Sequence, residues 1–161
     1  MVDPAQQETP IQWQGISFRH LNDSIYNYTE KIMTELQPDY VQIGNGINLG
    51  FLHPYGHISN NFQQFKELLN MGITAVRANS NNSKIILYFT GLERFEWFFN
   101  QVNVLDYDII GFSYYPKWHG ISLNNLKIKM KYLGSKNRIA KDILPIILKS
   151  RGEGQYYVEP F

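Results

Sequence analysis

The chain contains no cysteine in 161 residues, which excludes a disulfide framework, a thiolate nucleophile and cysteine-ligated metal, and leaves its redox compartment undetermined. It also has little net charge. Fifteen Lys and Arg against 14 Asp and Glu leave a formal +1, too weak a field to gather nucleic acid or anionic lipid, so neutral ligands fit better. No apolar run approaches the ~18–20 residues of a membrane span. The first residues show no basic-then-apolar signal pattern, so nothing in the chain as written directs export. What is present is a 43% hydrophobic, 15% aromatic composition, enough to bury one sizeable core and about one domain by the usual ~100–200 residue prior.

Periodicity alternates along the chain. After a polar leading loop with Pro4 and Pro10, the residues Phe18, Leu21, Ile25, Tyr28, Ile32 and Leu36 recur at three- and four-residue steps, predicting an amphipathic helix stopped by Pro38. Tyr40–Ile43 reads as a short strand ending in Gly44, Asn45 and Gly46. A second helix, capped by Asn60 or Asn61, carries Phe62, Phe65, Leu68, Leu69, Ile73 and Val76 on one face, with Gly72 a tolerated weak point. A strand over 84–89, a short helix over 92–102, a strand over 108–113, a helix near 123–133 and an apolar run over 143–148 broken by Pro145 complete the pattern. Repeated helix and strand imply parallel β/α units, built either as an open doubly wound sheet or as a (β/α) barrel. In both architectures ligands sit at the carboxyl ends of the strands.

The most informative stretch is DYDIIGFSYYPKWHG over 106–120. A β-prone run through Ile109, Ile110 and Phe112 delivers Ser113, Tyr114, Tyr115, Trp118 and His119 to one rim. Aromatic rings beside fixed hydrogen-bonding groups suit a sugar, whose C–H face stacks while its hydroxyls need partners. The competing reading is a core strand whose trailing aromatics cap the core.

Two other signals lack the context that their chemistry needs. Gly44, Gly46 and Gly50 after a strand resemble a phosphate-cradling loop, but no helix opens there, the loop has no lysine, and no acidic residue closes the next strand. The alternative is a plain turn. His53, His57 and His119 sit on loops without a helical i, i+4 pair or a carboxylate to fix them, so no metal and no other cofactor is expected.

Ordered segments then point to a family. Asp3-Pro-Ala-Gln-Gln with Pro10 and Trp13, Val41-Gln-Ile-Gly-Asn, Gly50-Phe-Leu with Pro54 and Gly56, and the 106–120 stretch resemble the arabinogalactan endo-1,4-β-galactanases of glycoside hydrolase family 53, in order from Asp3 to about Asp142. That resemblance implies a (β/α)8 barrel and retaining hydrolysis of β-1,4-galactan by two glutamates at the ends of strands four and seven. It implies Asn45, Ser113, Tyr115, Trp118 and Asp3 as substrate-binding positions, whereas Tyr114 is read as packing. It also implies a secreted or periplasmic setting.

Departures from the pattern matter as much. A retaining glycosidase needs one carboxyl to protonate the leaving oxygen and another ~5–5.5 Å away to attack the anomeric carbon. Where the family pattern reads Gln-Ile-Gly-Asn-Glu, this chain reads Gln-Ile-Gly-Asn-Gly, so Gly46 occupies the acid/base position. After Asp142 the nucleophile pattern is also missing, and Glu153 and Glu159 fall in a divergent tail, dividing the chain into a galactanase-like 1–142 and a tail over 143–161. Tyr88 stands where the family resembles histidine. A full barrel takes ~250 residues, so 161 hold about four β/α units, matched by the resemblance to strands four to seven. The expectation is a partial barrel, catalytically impaired, that binds galactan or galacto-oligosaccharide and self-associates through open barrel edges. The alternatives are a non-catalytic galactan-binding remnant and a half-barrel completed by another chain.

Overall fold

The computed structural model describes residues 7–115, positions 124, 125, 127–129 and 131, and the strand backbones of 142–150 and 156–158. Helix α1, Phe18–Leu36, begins where the Ser17 hydroxyl accepts a hydrogen bond from the His20 amide at 3.3 Å, an N-cap that satisfies one orphan donor. It ends at Gln37 in the left-handed region, with Pro38 next in line to prevent continuation. Leu21, Ile25 and Met33 form its buried stripe, which packs on α2.

Strand β1, Tyr40–Ile43, is followed by helix α2, Ile58–Asn79. The helix opens earlier than the sequence suggests. Its first turn starts after His57, and the expected cap Asn61 instead sits at a non-helical break, where its side-chain amide donates to the Pro54 carbonyl at 3.2 Å. Beyond the break, Phe65, Leu68, Leu69, Ile73 and Val76 are buried as their spacing predicts, while Phe62 lies at the margin against Trp97. Gly72 is more than tolerated: a methyl there would come within 3.2 Å of Ile43, so its absence lets α2 approach β1.

Strand β2, Lys84–Thr90, helix α3, Phe95–Val102, and strand β3, Ile109–Tyr114, follow. Alternation along β2 separates two faces. Ile85, Leu87 and Phe89 are buried towards the helices, and the Phe89 ring lies 4.9–5.9 Å from those of Phe95, Phe98 and Phe99 on α3. The opposite face carries Ile86, Tyr88 and Thr90. These align with Ile109, Gly111 and Ser113 of β3 in parallel register, and Ile86 aligns with Gln42 of β1.

Strand β4, Asp142–Ser150, pairs in parallel with β3, placing Pro145 opposite Phe112, and a short β5, Tyr156–Val158, turns back antiparallel on its far side. β4 therefore runs across the division expected between 142 and 143. The helix expected near 123–133 is helical at its described positions; its other residues lie outside them.

Sheet order is β1-β2-β3-β4-β5, with the parallel strands in chain order. A doubly wound sheet reverses direction at a switch point, whereas a barrel adds each strand beside the last, so the order selects the barrel. Among the described residues no helix is long and apolar enough to cross a membrane.

Candidate functional site

The parallel strands point their carboxyl ends at one rim, and the inward face there is polar. Gln42, at the end of β1, donates to the Gly44 carbonyl at 2.9 Å and to the Asn45 side-chain oxygen at 3.2 Å, while the Gln7 amide donates to the Asn45 carbonyl at 2.6 Å. Asn45 is thereby held at the surface of the rim with its side chain exposed.

Gly46 follows in the left-handed conformation, φ 59° and ψ 50°, as N-cap of a short 3-10 turn, Ile47–Leu49. The glycine-rich loop is thus a turn, not the mouth of a phosphate-binding α-helix. A Cβ built on Gly46 would stand 3.3 Å from the Thr90 hydroxyl, so position 46 faces the tip of β2. Asn48 fixes the same turn to that strand. Its amide nitrogen donates to the Thr90 carbonyl at 2.5 Å and its oxygen accepts from the Thr90 amide at 2.9 Å, so a side chain does what a neighbouring strand would do.

One step along, Thr90 aligns with Ser113, whose hydroxyl is hydrogen-bonded to the Tyr88 phenol. Ser113 is only 1% exposed, so it lies under Tyr88 and not in open space. Burial pushes the Tyr88 phenol above its ordinary pKa, partly offset by the Ser113 hydrogen bond. Gly111 makes this arrangement fit, because a methyl there would meet Ile86 at 2.8 Å and the Tyr88 ring at 2.9 Å. Tyr115 is half-buried at the end of the strand, and Tyr114 points the other way into the core, where it stacks on Phe112 at 6.2 Å. Asp3, Trp118 and His119 lie outside the described residues.

The acidic end of the 106–120 stretch does something different. Asp106 and Asp108 sit at the amino end of β3, on the side away from the rim. Arg77 from α2 donates to both carboxylates at 2.8 Å, to the Asp106 carbonyl at 3.1 Å and to the Ser83 carbonyl at 3.0 Å. Asp108 also accepts from the Ile85 amide at 2.8 Å. Burial alone would raise the Asp108 carboxyl, but the Ile85 amide and the Arg77 guanidinium outweigh it and hold the group below its usual range. This clamp joins α2, β2 and β3 at the face that serves stability in such folds.

His53 and His57 are neighbours, their ring centroids 4.7 Å apart, and the His53 ring nitrogen meets the Leu49 carbonyl at 3.2 Å. Burial lowers the His53 pKa.

Comparison with known proteins accords with this geometry. The family model described as glycosyl hydrolase family 53 matches residues 1–146. An arabinogalactan endo-β-1,4-galactanase of Cellvibrio japonicus is 34% identical over 141 residues, covering 78% of this chain and 38% of that protein. An endo-β-1,4-galactanase of Bacillus subtilis is 32% identical over 140 residues, covering 81% of this chain and 31% of the relative. The chain therefore spans from 31% to 45% of the length of the curated relatives it matches. Among solved structures, a family 53 catalytic domain from Ignisphaera aggregans superposes with a TM-score of 0.82 at 29% identity, covering 94% of this chain and 46% of that one. A fungal β-1,4-galactanase superposes with a TM-score of 0.80 at 24% identity, which speaks to the fold alone. The parallel β/α units are part of a barrel of that kind, and the chain belongs to glycosyl hydrolase family 53.

Proposed function

We propose that the carboxyl-end rim of this chain binds β-1,4-galactan or galacto-oligosaccharide and does not cleave it. The relatives supply the substrate class, since those of Cellvibrio japonicus and Bacillus subtilis are named endo-β-1,4-galactanases. The observation that carries the non-catalytic half is Gly46. Position 46 faces the inner tip of β2 at the place where the family pattern puts its proton donor, and a glycine has no proton to give. The inward positions beside it, Gln42, Tyr88, Thr90 and Ser113, supply amide and hydroxyl groups, which hydrogen-bond a neutral sugar well and are poor general acids near neutral pH.

Asn45 and Tyr115 are assigned to contacts with the sugar, and Ser113 contributes from beneath Tyr88. Asp3 and Trp118 keep the binding roles that the family resemblance implies. A secreted or periplasmic setting, where polysaccharide is met, fits the same reading.

Loss of a general acid/base forfeits ~10²–10⁴ in rate. The purified chain is therefore expected to release no reducing ends from galactan above a protein-free blank, and to be retarded in a gel containing galactan. Release of galacto-oligosaccharides would overturn the non-catalytic reading, and unretarded migration would overturn the binding.

A further inference from the structure

We propose that Tyr88 is itself a ligand-contacting residue, a phenol held by Ser113 that receives one hydroxyl of the bound sugar. The assignment rests on the galactan reading above and adds to it a residue at which this chain departs from its family's pattern.

Tyr88 lies on the inward face of β2, directly beside its register partner Gly111 of β3. Because Gly111 has no side chain, the Tyr88 ring lies close over β3 and its hydroxyl reaches Ser113 near the carboxyl end of the sheet. Ser113 is 1% exposed, whereas Tyr88 keeps part of its surface open. A ligand approaching from the rim therefore meets the phenol before the serine.

A phenol hydroxyl offers one donor and two acceptor sites, and a single serine does not use all of them. The remaining capacity suits a sugar hydroxyl, which can both donate and accept. The ring adds an apolar surface on which sugar C–H groups can lie. Burial raises the phenol's pKa, so it stays neutral and complements a neutral ligand. Thr90 and the Gly46 turn flank the same spot, placing it at the site already described.

Titration calorimetry with β-1,4-galactotetraose on the chain and on Tyr88→Phe, Ser113→Ala and the double variant tests this, with thermal unfolding as a control for folding. Removing the phenol hydroxyl is expected to weaken binding about 3- to 10-fold, the usual effect of one lost hydrogen bond. Ser113→Ala should weaken it by less, and the double variant should bind no worse than Tyr88→Phe, since the serine acts through the phenol. Equal affinity of a folded Tyr88→Phe overturns the assignment and leaves the galactan reading standing. Should Tyr88→Phe fail to fold, wild-type affinity in Ser113→Ala overturns it instead. A wild-type chain that does not bind the tetraose removes both.

Discussion

At Gly46 the backbone has φ 59° and ψ 50°, a conformation that costs an L-residue about 1–2 kcal/mol. A side chain introduced there also begins 3.3 Å from the Thr90 hydroxyl. Gly46→Glu is therefore expected to lower stability by about 1–2 kcal/mol in urea denaturation, and an unchanged midpoint would show that the turn has other conformations open to it. Gly46, at the position that the family resemblance assigns to the acid, is legible in the sequence because a short motif names it directly. Its surroundings are not. Thr90 is clamped by Asn48 across 42 residues, and Ser113 is covered by Tyr88 across 25, pairings that no local pattern announces. Tyr88 consequently reads from sequence as a mere departure from histidine, whereas in the fold it is the half-buried member of a hydroxyl pair whose other member, Ser113, is buried.

Among the elements, the helices and strands with strong periodicity follow their pattern: α1 keeps its stripe and its Pro38 stop, and β2 alternates buried and half-buried residues from Ile85 onward. The start of α2 does not, since the turn after His57 precedes the asparagine that composition marks as a cap. The stretch over 106–120 reads as one functional unit, yet the fold divides it, with Asp106 and Asp108 at the amino end and Ser113 to Tyr115 at the carboxyl end. Arg77, 31 residues from Asp108, explains the division. Because Asp108 is held below its ordinary pKa in the folded chain, its stabilising effect is present above the unfolded value of ~3.9 and is lost as pH falls through the lower folded value. Melting temperature should thus drop as the medium is acidified below about pH 4. Asp108→Asn should flatten that dependence while costing about 1.5–3 kcal/mol at neutral pH, the range for hydrogen bonds to charged groups. A parallel pH profile in the variant would show that other carboxylates dominate.

Over the whole molecule the two ends of the parallel sheet divide the labour. The amino end is tied by a charged clamp that links α2, β2 and β3, and the carboxyl end presents amides, hydroxyls and aromatic rings. Parallel order places every β/α loop on one rim, so the site face follows from topology, while its chemistry depends on which residue each loop brings. Under the proposed function, the loop after β1 brings a glycine where the family pattern has its acid, and sugar binding is separated from bond cleavage. The most direct test of that account is an amide chemical-shift map of the 18.8 kDa chain titrated with a β-1,4-galacto-oligosaccharide. The account predicts shifts that saturate at Asn45, Gly46, Asn48, Tyr88, Thr90, Ser113 and Tyr115. Shifts centred on Arg77, Lys84 and Asp108 at the opposite end, or no saturable shifts, would contradict it.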